Sequence, residues 1–325
     1  MNEASETTTA PRREPEWVSH AVWWHVYPLG IVGAPQSEVA QDEPTAHRLT
    51  RIHNWLDYAV ELGASALALG PIFASHTHGY DTVDYFAIDH RLGDDGDFDE
   101  LVEQAHQRGL RIILDGVFNH VGRGFDVFQR ALQGGIGADE NRWFLPIAPG
   151  EASSPTGEVQ YESFEGHDAL VSLNHSEPAV ADFVVEVMRH WLSRGADGWR
   201  LDAAYSVPTE FWANVLPRVR ADYPDAYILG EVLHGDYSGF VESSTVDSVT
   251  QYELWKGIEN SIEVRNFFEL SHALERHNHF LASFVPYTFV GNHDVTRLAS
   301  AITDERHIAH ALVVLFTVGG TPSVY

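Results

Sequence analysis

Four short stretches of this chain gather carboxyl, imidazole and guanidinium groups at the ends of apolar runs: DGVFNH at 115–120, GWRLDAA at 198–204, GEVL at 230–233 and FVGNHD at 289–294. Taken singly, each group has an ordinary structural reading. An Asp after a strand often caps the next helix, and an Arg–Asp pair is often a simple ion pair. The set is harder to account for in that way. Asp115, Asp202, Glu231 and Asp294 come with Arg200, His120 and His293, in this order, on alternating elements. Two carboxyl groups on neighbouring strands suit cleavage of a glycosidic bond. One attacks the anomeric carbon; the other protonates the leaving oxygen and then activates water. In retaining enzymes the two lie ~5–5.5 Å apart. Arg200 and Asp202 share one face of a strand because the side-chain period is two, so Arg200 is expected to orient Asp202 and keep it ionised. Glu231 then takes the acid's task, which burial and nearby negative charge favour. His120, His293 and Asp294 remain to hold sugar hydroxyls.

Such groups need a frame that brings them to one rim. Apolar runs at 21–28, 64–70, 110–118, 197–202, 226–231, 248–252, 284–290 and 322–325 read as strands. Amphipathic segments at 51–62, 98–108, 178–194, 208–221, 254–277 and 304–317 read as helices, with Gly63, Gly109 and Gly195 at three of their ends. Apolar strands alternating with helices predict parallel βαβ units of an α/β fold, and eight of them close a (β/α)8 TIM barrel. An open doubly wound sheet is the alternative, but no Gly-rich phosphate loop follows the first strand. In a barrel the strands' carboxyl ends form the active face, where all four stretches fall.

The connection from 119 to 177 is too long for a turn and is expected to form a small inserted domain B after the third strand. The expected layout is a disordered tail at 1–16, a barrel from 17–120 and 177–325, and the insert at 121–176. The eighth strand begins at 322 of 325 residues, so a covering helix is expected to be missing and apolar surface to be left bare.

Composition narrows the partners. With 20 basic against 47 acidic residues, the net charge is −27, which disfavours nucleic acid and anionic membranes. There is no cysteine, hence no disulfide or thiolate chemistry. No apolar run approaches the ~20 residues of a membrane span, and the polar start has no signal-peptide core. A cytoplasmic monomer is expected.

The four stretches, in this order and spacing, resemble the conserved regions of the α-amylase family of glycoside hydrolases, from Trp23 to Tyr325. LVSLN at 170–174 and HGYDTVDYFAID at 78–89 resemble two further family segments. The resemblance implies that Asp202 is the nucleophile, Glu231 the acid/base and Asp294 a third carboxylate gripping the sugar ring. It implies that Arg200 is the nucleophile's partner, that His120 and His293 hold the attacked sugar, that Tyr80 stacks under it and that Asp115 is a structural carboxylate. It also implies a β-sandwich domain C beyond the last strand. The short insert, Trp143-Phe144 and Gly-Trp-Arg-Leu-Asp look most like the neopullulanase, cyclomaltodextrinase and maltogenic amylase branch. No counterpart of that branch's amino-terminal carbohydrate-binding domain is expected ahead of the barrel, and its calcium loop is not recognisable in 29–44. Tyr205-Ser206 stand where many starch-cleaving members have Lys-His, a leaving-side sugar contact and calcium ligand. Asn119 and Asp168 match other calcium ligands of the family, but a hydrogen-bonded Asn and a surface Asp are equally good readings. The chemistry itself needs no cofactor. His76 and His78, just before Tyr80, are candidates to line the cleft.

The expected activity is therefore hydrolysis of α-1,4- and α-1,6-linked glucans such as maltooligosaccharides and cyclodextrins, by double displacement. A transglycosidase on the same substrates and an inactive carbohydrate-binding protein are the alternatives; a phosphate-binding barrel lacks its glycine-rich site.

Overall fold

The computed structural model describes residues 14–37, 43–134, 139–145 and 161–325. Eight short parallel strands surround one axis: β1 (Trp23–Val26), β2 (Ala66–Leu69), β3 (Arg111–Gly116), β4 (Gly198–Leu201), β5 (Tyr227–Gly230), β6 (Ser248–Val249), β7 (Tyr287–Phe289) and β8 (Thr321–Val324). The sheet runs β6-β5-β4-β3-β2-β1-β8-β7. Its seam is joined by a parallel bridge between Thr250 and Tyr287, where Gln251 N–H donates to the Tyr287 carbonyl at 2.9 Å. The expected barrel is thus formed, with all eight strands where the apolar runs lie.

Side-chain alternation explains why these runs make a barrel. Trp23, Ala66, Ala68, Ile113, Tyr227, Leu229, Tyr287 and Phe289 pack on one another as the barrel's filling. Their alternates Leu67, Leu69, Ile112, Leu114, Trp199, Leu201 and Ile228 join the core shared with the helices. Both faces are buried, so the strands read as continuous apolar runs.

The surrounding helices are α1 (Thr50–Leu62), α2 (Asp95–Gln107), α3 (Pro178–Ser193), α4 (Thr209–Asp222), α5 (Tyr237–Ser244), α6 (Tyr252–Glu263), α7 (Phe267–Phe280) and α8 (Ile308–Thr317). Gly63 ends α1 at φ +90°, a conformation that glycine adopts without strain. Asp94 and Asp97 form a reciprocal capping box on α2.

Two helix expectations need correction. The helix read at 254–277 is two, α6 and α7. Arg265 at φ +58° turns the chain, and Asn266 Oδ1 accepts from Glu269 N–H to start α7. The apolar period runs through this break and hides it. Helix α5, capped by Asp236, was not anticipated. Two antiparallel ribbons also stand at the active face: Phe73–Ser75 with Thr82–Ile88, and His120–Gly122 with Leu170–Ser172. The second ties together the two ends of the long segment after β3. Parts of that segment (135–138 and 146–160), and the expected tail up to residue 13, lie outside the described residues.

Trp55, Tyr58 and Leu62 on α1 and Val313 and Phe316 on α8 are exposed. No helix among the described residues is long and apolar enough to cross a membrane.

Candidate active site

Strand parity carries the functional groups to the barrel mouth. Asp115 follows Ile113 by two residues, and Glu231 follows Leu229 by two; both extend the inward-facing rows. Asp115 and Arg200 are direct partners in the β3–β4 register. Asp202 and Glu231 lie one residue past β4 and β5, still tied by Asp202 N–H to the Gly116 carbonyl at 3.0 Å and Glu231 N–H to the Leu201 carbonyl at 2.9 Å.

Arg200 is the hub. Its Nη1 donates to both oxygens of Asp115 at 2.6 and 2.7 Å and to Asp202 Oδ1 at 3.2 Å. Its Nη2 lies 2.8 Å from Glu231 Oε1. Burial opposes its charge, but the carboxylates of Asp115 and Glu231 hold its pKa well above the usual arginine value. The sequence reading paired Arg200 with Asp202 alone; in the fold Asp115 and Glu231 are its closer partners.

One cation does not neutralise three buried carboxyl groups. Burial pushes Asp115 up to about 6, against the pull of Arg200. Burial, then the nearby charge of Glu231, pushes Asp202 well above the ordinary carboxylate range, with Arg200 opposing. Arg200 thus pulls Asp202 towards its ionised form, as expected from the sequence, but burial and the charge of Glu231 are the larger influences and act against it.

Hydrogen-bond donors converge on Glu231. Besides Arg200, Ala203 N–H donates to Oε2 at 2.8 Å and the Tyr252 hydroxyl to Oε1 at 3.1 Å. The same hydroxyl lies 3.3 Å from Asp294 Oδ2. It accepts from Asn292 Nδ2 at 2.8 Å. Asp294 is the exposed carboxylate of the group, with nearly half its side chain open to solvent.

Tyr80 is held from two sides. Its hydroxyl donates to Asp115 Oδ2 at 3.1 Å and accepts a short bond from His293 Nε2. The Tyr80 and His293 rings lie almost in parallel planes, 3° apart. Burial lowers His293 to about 3 and His120 to about 4, so both are neutral at pH 7. His120 is held within the protein. Asn119 Nδ2 donates to its Nδ1 and its Nε2 donates to the Tyr80 carbonyl, both at 3.1 Å. Its nitrogens are engaged within the protein, and its ring stacks on Phe164 with centroids 4.8 Å apart.

These groups open into a cleft of about 490 Å³ whose walls include Asp202, Glu231, Asp294, Tyr80, His120 and Tyr252. Sequence reasoning missed several of its residues: Tyr252, Leu233, and Phe164, Glu165 and His167 from the long segment after β3. His78 lines the cleft as anticipated; His76 is not among its walls. Tyr205 crosses to the long segment, its hydroxyl donating to Glu165 Oε1 at 3.1 Å.

The two calcium candidates have other neighbours in the fold. The Asn119 amide is turned to His120, and the Arg123 guanidinium approaches the Asp168 carbonyl at 3.5 Å. Among the described residues, His47, Asp94 and Asp97 are close enough to share a metal. The two carboxylates already accept the backbone N–H groups of the α2 cap, and His47 Nδ1 lies 2.7 Å from Asp97.

The comparisons with known proteins agree with this geometry. Residues 39–325 match the family described as "Alpha amylase, catalytic domain". Neopullulanase 2 of Thermoactinomyces vulgaris is 34% identical over 96% of this chain and 56% of its own length. A cyclomaltodextrinase of a Bacillus species is 32% identical over 96% of this chain and 59% of its own. The ligand-free cyclic alpha-maltosyl-(1→6)-maltose hydrolase of Arthrobacter globiformis superposes with a TM-score of 0.83 at 29% identity, covering 96% of this chain and 74% of that one. The chain spans a little over half the length of the curated relatives it matches. An eight-stranded barrel with these carboxyl groups at its mouth, matched to the family over 39–325, establishes that the chain belongs to the alpha-amylase family.

Proposed function

We propose that this chain is the catalytic part of a retaining α-glycosidase acting on α-1,4- and α-1,6-linked glucans: maltooligosaccharides, cyclodextrins and related chains. The observation that carries this reading is the placement of Asp202 and Glu231 at the ends of adjacent strands, in one cleft, joined through Arg200. The names of the similar proteins support the substrate class.

In the first step Glu231 donates its proton to the glycosidic oxygen while a carboxylate oxygen of Asp202 bonds to the anomeric carbon and the C1–O bond breaks. Glu231, now ionised, takes a proton from water. The water oxygen bonds to C1, and the Asp202 ester bond breaks. Asp294, exposed to the cleft, is placed to accept hydrogen bonds from ring hydroxyls. Tyr80, fixed by Asp115 and His293, offers a ring face to the sugar. Segment 121–176 is read as an inserted domain whose Phe164, Glu165 and His167 wall the cleft.

Glucosyl transfer to a sugar acceptor uses the same intermediate, and the Tyr205–Glu165 contact beside Glu231 favours keeping it as the second reading.

The test is to trap the intermediate. The Glu231→Gln variant is incubated with α-glucosyl fluoride, whose fluoride departs without acid help. A glucosyl mass increment on the peptide holding Asp202, absent in Glu231→Gln/Asp202→Asn, is expected. An adduct elsewhere, or turnover by Asp202→Asn equal to the parent, overturns the reading.

A further inference from the structure

Tyr252 opens α6 directly after β6, and its hydroxyl is the one group in contact with both Glu231 and Asp294 among the described residues' hydrogen bonds. The hydroxyl has one hydrogen, so it donates to one carboxylate at a time. Its lone pair is committed. Asn292 Oδ1 accepts from Asp294 N–H at 2.9 Å and Val295 N–H at 3.2 Å, which fixes the amide's orientation and points Nδ2 at the Tyr252 oxygen. Burial, then the charges of Glu231 and Asp294, pushes the hydroxyl well above the usual tyrosine range, so it stays a donor.

Glu231 faces a conflict in this site. Arg200, Ala203 N–H and Tyr252 all donate to it, an arrangement suited to its ionised form. An acid must hold its proton. Arg200 is locked on Asp115, and Ala203 is fixed in the backbone; Tyr252 is the donor with a second acceptor in reach, Asp294 Oδ2 at 3.3 Å.

We propose that Tyr252 is a positioning residue whose hydroxyl hydrogen turns from Glu231 to Asp294 when Glu231 is protonated, and back when Glu231 has given up its proton. No bond to hydrogen breaks in this turn; a donor changes acceptor. The turn frees Glu231 to act as acid while it braces the carboxylate facing the sugar ring. It then restores a donor to Glu231 for its work as base. The proposal rests on the reading of Glu231 as the acid/base. The other charged or titratable groups facing Glu231 and Asp294 are Arg200, Asp202, Asp115 and Tyr205, with His293, 3.3 Å from Asp294 Oδ1, and Tyr80 and Tyr325 on the Asp294 side.

The test compares pH profiles of kcat and of kcat/KM for the parent, Tyr252→Phe and Glu231→Gln, on a maltooligosaccharide. The phenyl ring keeps the packing and removes the donor. The expected result is a kcat lower by about tenfold, with the basic limb moved to higher pH by about one unit, because ionised Glu231 has lost a charge-assisted bond. A fall in kcat with both limbs unmoved means that Tyr252 only packs, and overturns the inference. Should Tyr252→Phe fail to fold, 3-fluorotyrosine at 252 keeps the ring and strengthens the donor; the basic limb then moves down, and an unmoved limb again overturns the inference. Glu231→Gln as active as the parent removes the acid/base reading and the inference with it. An inactive Glu231→Gln beside an unmoved limb removes the inference alone.

Discussion

Arg200 lies closer to Glu231 than to Asp202: its Nη2 is 2.8 Å from Glu231 Oε1, whereas its Nη1 is 3.2 Å from Asp202 Oδ1. With Asp115 at 2.6 Å, one buried cation holds three carboxyl groups on adjacent strands. Its loss leaves those groups without a counter-ion, a change that costs about 3–5 kcal/mol for buried pairs. Arg200→Ala is expected to lose stability on that scale in denaturant titrations, more at pH 8 than at pH 5, where the carboxyl groups can take up protons. Arg200→Lys keeps the charge but not the fork that spans Asp115 and Glu231, and kcat/KM is expected to fall about a hundredfold or more. A lysine variant of parental activity contradicts this role.

Buried neutral histidines set the acid limit of stability. His120 and His293 titrate near 4 and 3 in the fold, against the ordinary value of 6.5. Between those values the unfolded chain binds protons that the native site refuses, so stability falls as pH drops from about 6.5 towards 4. Asp115, raised to about 6 from 3.8, works the other way: the native state holds a proton that the unfolded chain has released, which favours folding as pH falls through that window. Asp202, also raised, adds to Asp115, but burial lowers His25, His175 and His277 as well; with His120 and His293 these five histidines outnumber the two aspartates, and denaturation midpoints are expected to fall below pH 6. His120→Gln should flatten that fall, and an unchanged slope rejects the assignment.

Ala203 stores strain beside the acid/base. It sits at φ +45° without being glycine, and its N–H holds Glu231 Oε2. Left-handed backbone costs a non-glycine residue roughly 1–2 kcal/mol. Ala203→Gly is expected to keep activity and gain stability by a fraction of that, part being lost to unfolded-chain entropy. Ala203→Val should lose both stability and kcat, because a β-branched residue resists this φ. A valine variant equal to the parent in both shows that the turn is not under strain.

The Tyr205–Glu165 contact is the place to look for acceptor choice. Tyr205 follows Asp202 by three residues, its N–H donates to the Glu231 carbonyl at 3.2 Å, and its side chain reaches across to Glu165. Tyr205→Phe releases Glu165 and is expected to change the ratio of transfer to hydrolysis at high sugar acceptor. Hydrolysis of an activated aryl glycoside should change by less than about twofold, since that leaving group makes little use of the acceptor side. An unchanged product ratio contradicts the assignment.

The frame was legible because physics wrote it in runs. Strands buried on both faces have no polar alternation to blur them, so all eight stood out, and parity then put Asp115, Asp202 and Glu231 at one mouth. The break between α6 and α7 was hidden because it rests on one residue, Arg265, in a conformation that propensity does not favour. Tyr252 was hidden for another reason. It is one of twelve tyrosines and gains its meaning only when β6 ends three residues earlier at the barrel mouth. The ribbon of 120–122 with 170–172 carries His120 to the cleft wall, where its nitrogens also meet Asn119 and the Tyr80 carbonyl, neighbours no spacing in the sequence points to. The long segment after β3 gave no period to read, so Phe164, Glu165 and His167 came from the fold alone.

The central claim is double displacement through Asp202 with Glu231 as acid/base. The most direct measurement is proton NMR of the anomeric region during the first minutes of turnover of maltooligosaccharides and cyclodextrins, with Glu231→Gln as control. Early α-anomer that appears with the parent chain and not with the variant is the predicted result. Early β-anomer, or equal α-anomer from the variant, contradicts it.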